Sequence, residues 1–219
     1  MPFPIVTITI LLACIGFSLY AFSNRSVFEK YMFNAYAIKH FNQKYRFLSH
    51  AFLHSDYGHL IINMFVLYSM GGIVETLYSI YFDRLGVLVY ILMYTGAIYA
   101  SSLIDYYRHK NNQYYNAVGA SGAVSAIVFS FILFLPKEPI GLLFLPKVLH
   151  PPAWIFGAIY LAYSFYMDRK NKDNVAHGAH AWGAVFGFFF SGIMDLIIRQ
   201  PDLYNSAFYK FFNVLFKFD

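Results

Sequence analysis

Charge and cysteine are what this sequence has least of. Asp, Glu, Lys and Arg together make 12% of its 219 residues, about half their share in a water-soluble domain, which excludes an ordinary soluble globule. The one cysteine, Cys14, lies inside the first apolar run, so neither an intrachain disulfide framework nor a multi-cysteine zinc site is available. No internal repeat, low-complexity tract or compositional break divides residues 1–219, and the whole reads as one domain. The formal charge of +5 is scattered over many connections. Without a dense basic stripe nucleic acid is not the expected partner, and anionic lipid headgroups are.

What the chain has is apolar and aromatic surface: 59% hydrophobic and 21% aromatic residues, with a mean hydropathy of +0.49. A hydrocarbon core about 30 Å thick takes roughly 20 such residues per helix. Six weakly charged runs, Phe3–Phe22, Tyr57–Ile80, Leu85–Ile104, Ala117–Leu135, Ala153–Met167 and His177–Ile198, predict an all-α polytopic membrane bundle of six transmembrane helices. No basic segment precedes the first run and no small-residue cleavage site follows it, so it reads as a retained helix. The long first connection, 23–56, mixes aromatic and charged residues as an interface-lying folded loop would, and the tail, 201–219, reads as an amphipathic surface helix. Ten Lys and Arg residues flank the first, third and fifth connections against six on the other side. Taken literally, that bias puts the amino terminus outside.

Polar residues at membrane depth are costly and mark candidate sites. Gly119-Ala120-Ser121-Gly122-Ala123 opens the fourth run: glycines free the backbone around a serine whose helix-terminal amides could hold an oxyanion, or the small residues simply permit close packing. In the sixth run His180, Gly183 and Gly187 share one helical face, as a general base needing close approach to a serine would, although a buried hydrogen bonder or cofactor ligand fits equally. His59 and Asn63, four apart, can both donate to an oxyanion. His50 and His54 have helical metal-ligand spacing, but no carboxylate stands near them in a zinc-like motif, and no metal or cofactor is expected.

These motifs, in this order, resemble the rhomboid family of intramembrane serine proteases over roughly Tyr45–Gly192. The resemblance implies Ser121 as nucleophile, His180 as base with His177 as the alternative, and His59 and Asn63 as the oxyanion pair beside the Gly119–Ser121 backbone. It further implies six helices, termini in the cytoplasm against the literal charge count, transmembrane-helix proteins as substrates and, with membrane lipids around it, an integral multi-pass place in a bacterial plasma membrane. Tyr45 stands where the family usually has tryptophan before Arg46, and Ser125 replaces the aromatic that often supports the histidine ring.

Overall fold

The computed structural model describes residues 3–141, 150–170, 176–199 and 205–216, with the Arg199 side chain excepted. Among these residues the architecture is all α. Helix α1 (Ile5–Phe22) is followed, inside the first connection, by α2 (Arg25–Tyr31), α3 (Ala35–His40), α4 (Arg46–Ser49) and a 3₁₀ turn at His50–Phe52. A long rod then comprises α5 (Tyr57–Val66), a π turn at Leu67–Gly71 and α6 (Gly72–Phe82). After it come α7 (Gly86–His109), α8 (Ser121–Phe134), α9 (Ala153–Lys170), α10 (His177–Met194, with a π turn to Arg199) and α11 (Ala207–Phe216).

Among the described residues three helical stretches are long and apolar enough to cross a bilayer: Ile5–Phe22, Tyr57–His109 and His177–Ile198. The second holds two antiparallel helices, because the chain reverses at Asp83–Leu85 and Gly86 approaches the backbone of Tyr78 and Ser79 too closely for any Cβ. The fourth expected run is shorter than its sequence suggests. Ala117 lies outside the helix, paired as an isolated bridge with Phe33 of the first connection, and α8 begins only at Ser121. Its 14 residues rise about 21 Å, less than the thickness of a hydrocarbon core.

Helix α8 is the axis of the bundle, with every residue from Gly122 to Leu133 buried. Lipid tails are as apolar as leucine, so helix association here rests on close packing and hydrogen bonds. An added Cβ at Gly183 would overlap the Gly122 carbonyl, and one at Gly187 the Ala126 carbonyl, which brings α10 against α8 backbone to backbone. Below that contact Tyr78 Oη meets Ser191 Oγ at 2.6 Å and Ser191 Oγ meets Ser130 Oγ at 2.7 Å, tying α6, α8 and α10 together. At the far end the buried Glu75 accepts the amides of Val6 (3.0 Å) and Thr7 (2.8 Å), capping α1 from α6.

The first connection is a folded unit. Asn24 and Asn34 cap α2 and α3, and buried Arg46 donates to the carbonyls of Glu29 (2.9 Å) and Met32 (2.6 Å) and to Gln43 Oε1 (2.6 Å). Of the tail, 201–204 and 217–219 lie outside the described residues. The described part, α11, docks through Phe211 on Phe188 and through the Ala207 amide, which donates to Asp195 Oδ2 at 2.6 Å, while Phe216 faces outward.

Candidate active site

Ser121 is the first residue of α8, so its amide and those of Gly122 and Ala123 have no carbonyl one turn back within the helix. His180 lies one turn into α10. The Gly183 and Gly187 contacts press these two helices together, and His180 Nε2 stands 2.8 Å from Ser121 Oγ. That distance suits proton transfer from hydroxyl to imidazole.

His59 reaches the same point from α5. Its ring flanks Gly119, where an added Cβ would stand 2.8 Å from Cε1 and 3.0 Å from Nε2, and Gly119 adopts φ +126°, a backbone region that L side chains rarely enter. Any larger residue there would displace the imidazole. Gly119 was expected among the oxyanion donors, and in this structure its N–H donates to the His50 carbonyl at 3.0 Å. Asn63 commits one amide hydrogen to the His59 carbonyl (2.9 Å), and its carboxamide carries a second.

Ser121, His180, His59 and Asn63 open into one cavity of about 990 Å³ between α5–α6 and α9. Its upper wall holds Asp56, His59, Asn63, Asn116, Ser121 and His180, and its lower wall is largely apolar, with Val124, Val128, Met70 and Phe156. Polar chemistry is thus gathered at one end of a greasy slot, a site able to bind an apolar segment while reserving its hydrogen bonds for one peptide unit.

The remaining histidines do other things. His50 packs edge-on against Phe33 at 5.5 Å, and His54 Nδ1 meets Ser18 Oγ at 3.0 Å while its ring stands 5.1 Å from that of His59. Among the described residues no three His, Cys, Asp or Glu side chains gather as a metal ion would require. His177 contacts the His180 ring at 6.0 Å and the Tyr163 ring at 5.7 Å, and the hydroxyl of Ser121 is met by His180.

A Rhomboid domain model matches residues 41–195, most of the chain. The chain belongs to the rhomboid family. It is 32% identical over 158 residues to Rhomboid-related protein 1 of Caenorhabditis elegans, an alignment that takes in 69% of this chain and 40% of that protein's length.

Two departures of this rhomboid now have structural content. Ser125, one turn after Ser121, gives no ring to support His180. Its hydroxyl instead meets Tyr160 Oη at 2.6 Å across the cavity floor, and the ring beside His180 is that of His177. Tyr45 keeps the aromatic partner of Arg46, whose guanidinium carbon lies 5.7 Å from the tyrosine ring centre. The Ser125 departure is not interpretable from sequence, because Tyr160 lies 35 positions away.

Proposed function

We propose that this membrane protein is an intramembrane serine endopeptidase that cleaves transmembrane segments of other proteins with a Ser121–His180 dyad. The observation that carries the reading is the 2.8 Å approach of His180 Nε2 to Ser121 Oγ at the polar end of an apolar slot. His180 takes the hydroxyl proton as Ser121 attacks the peptide carbonyl. The negative oxygen is held by His59, by the free hydrogen of Asn63 and by the Ser121 amide. His180 then returns the proton to the leaving amine, and water hydrolyses the acyl-enzyme by the same route in reverse. No third acidic member is needed to define these roles.

The reading brings the rest of the expected frame with it: one domain, six membrane-crossing helices with cytoplasmic termini, and an integral multi-pass location in a bacterial plasma membrane. Its substrates are membrane helices that unwind readily at the cut, since carbonyls within an intact helix are already hydrogen-bonded. Entry runs through the slot beside α9, which packs chiefly on α10 and α8. The connection after α9 is a second candidate gate, and 171–175 lie outside the described residues.

A fluorophosphonate probe tests the dyad without knowledge of the substrate. Labelling of purified wild type, absent from Ser121→Ala and His180→Ala, is the expected result. A folded wild type that fails both to label and to cut a transmembrane reporter overturns it in favour of a non-catalytic helix-binding protein.

A further inference from the structure

We propose that Ser55 and Asp56 form a relay behind His59 that lets its imidazole meet the oxyanion doubly protonated, making Ser55 a positioning residue for the reaction. The inference rests on the proteolytic reading above and deepens it by assigning what sets the protonation of one oxyanion donor.

The geometry is a short chain of contacts at the water-facing start of α5. Asp56 is the N-cap of the helix, and its Oδ1 accepts the His59 amide at 2.9 Å. The other carboxylate oxygen, Oδ2, accepts the Ser55 hydroxyl at 2.7 Å. The same Ser55 oxygen stands 3.0 Å from His59 Nδ1. Asp56 is fully exposed, and the His59 amide first and then the Ser55 hydroxyl hold its carboxyl below the ordinary value, so this end of the chain is a carboxylate at neutral pH.

A hydroxyl has one proton to give. If Ser55 gives it to Asp56, the 3.0 Å contact requires Nδ1–H to donate to Ser55 Oγ. A neutral His59 in that state would turn a bare Nε2 toward Gly119 and Ser121, where a developing oxyanion would be repelled. The imidazolium satisfies every contact at once: Nδ1–H to Ser55, Ser55 O–H to Asp56, and Nε2–H toward the site. Charge-assisted donors are roughly twice as strong as neutral ones. A second arrangement is available at the same ring: the Ser55 amide points at Nδ1 from 3.4 Å, a longer contact that needs Nδ1 unprotonated and leaves a neutral Nε2–H donor. The hydroxyl distinguishes the two, because Ser55→Ala abolishes the relay and leaves the backbone amide in place.

The experiment uses the full-length protein in detergent with a transmembrane reporter, alongside ¹⁵N NMR of histidine-labelled protein. Expected for Ser55→Ala is a kcat lower by about tenfold, short of the roughly hundredfold for loss of an entire oxyanion donor, with KM unchanged and Ser55→Thr restoring the rate. Asp56→Asn, which keeps a good N-cap, should fall in kcat likewise. The His59 Nδ1 resonance should be that of a protonated nitrogen in fluorophosphonate-modified wild type and not in modified Ser55→Ala. Full kcat in Ser55→Ala, or an unprotonated Nδ1 in the modified wild type, overturns the relay and leaves the dyad standing. A wild type that neither labels nor cleaves overturns the dyad itself and, with it, the relay.

Discussion

The α-carbon of Gly183 faces the carbonyl of Gly122 so closely that no Cβ fits between them. This contact lies one residue after Ser121 and three after His180, so it sets the separation of the two groups directly. Gly183→Ala is expected to push α10 off α8, destabilise the fold by about 1–3 kcal/mol as overpacked sites do, and reduce fluorophosphonate labelling of Ser121 more than it lowers the thermal midpoint in detergent. Labelling at the wild-type rate would show that the helices can separate without parting the pair.

Glu75 should act on stability and not on chemistry. It is buried at the end of the bundle remote from Ser121 and accepts two α1 amides that would otherwise be unpaired. Glu75→Gln keeps one acceptor oxygen and should cost about 1–2 kcal/mol, and Glu75→Ala, which orphans both amides, about 2–4 kcal/mol. Chemical unfolding in mixed micelles measures both. A per-molecule reporter rate that fell in parallel among the still-folded molecules would contradict the separation of roles.

Much of this architecture is legible in the sequence wherever a local pattern suffices. The shared face of His180, Gly183 and Gly187 follows from helical spacing, and its consequence, the 2.8 Å approach to Ser121, is geometric. Reading fails where a distant partner decides. Ala117 looks like the start of a membrane helix because it is apolar, yet Phe33, far back in the first connection, pairs with it and delays α8 to Ser121. The Gly119 amide looks free because nothing local uses it, and the His50 carbonyl takes it. The π turn at Leu67–Gly71 falls within a weakly charged run that the sequence reads as one helix, with no proline or charge to mark it.

Acid should loosen the loop side of the molecule through His50. Burial holds this imidazole's pKa at about 4, against an ordinary value of 6.5. Between those values the unfolded chain binds a proton that the folded chain does not, so stability falls as pH drops from 6.5 to 4 and the penalty levels off below. The full difference is on the order of 3 kcal/mol. His50→Phe, which keeps the aromatic contact with Phe33, should flatten the pH dependence of the thermal midpoint over this window. An unchanged slope would assign the acid sensitivity elsewhere.

Access to the slot, finally, should depend on an ion pair that contributes little to stability. Arg108 Nη1 meets both oxygens of Asp168, at 2.8 and 3.0 Å, joining the ends of α7 and α9 directly over Gly178 and two residues short of His180. The arginine side chain is 47% exposed and the aspartate 16%, so solvent screens the pair from the arginine side and it is worth about 1 kcal/mol. Among the described residues α9 packs chiefly on α10 and α8 and not on α7. Breaking the pair should therefore ease the movement of α9 away from the slot while the core, held by α8 and α10, stays intact. Asp168→Asn is expected to leave the thermal midpoint within a degree or two and to raise kcat/KM for a transmembrane reporter about twofold, with fluorophosphonate labelling unchanged because a small probe needs no wide opening. A fall in kcat/KM with unchanged labelling would mean that the pair orders the substrate's path and does not restrain it.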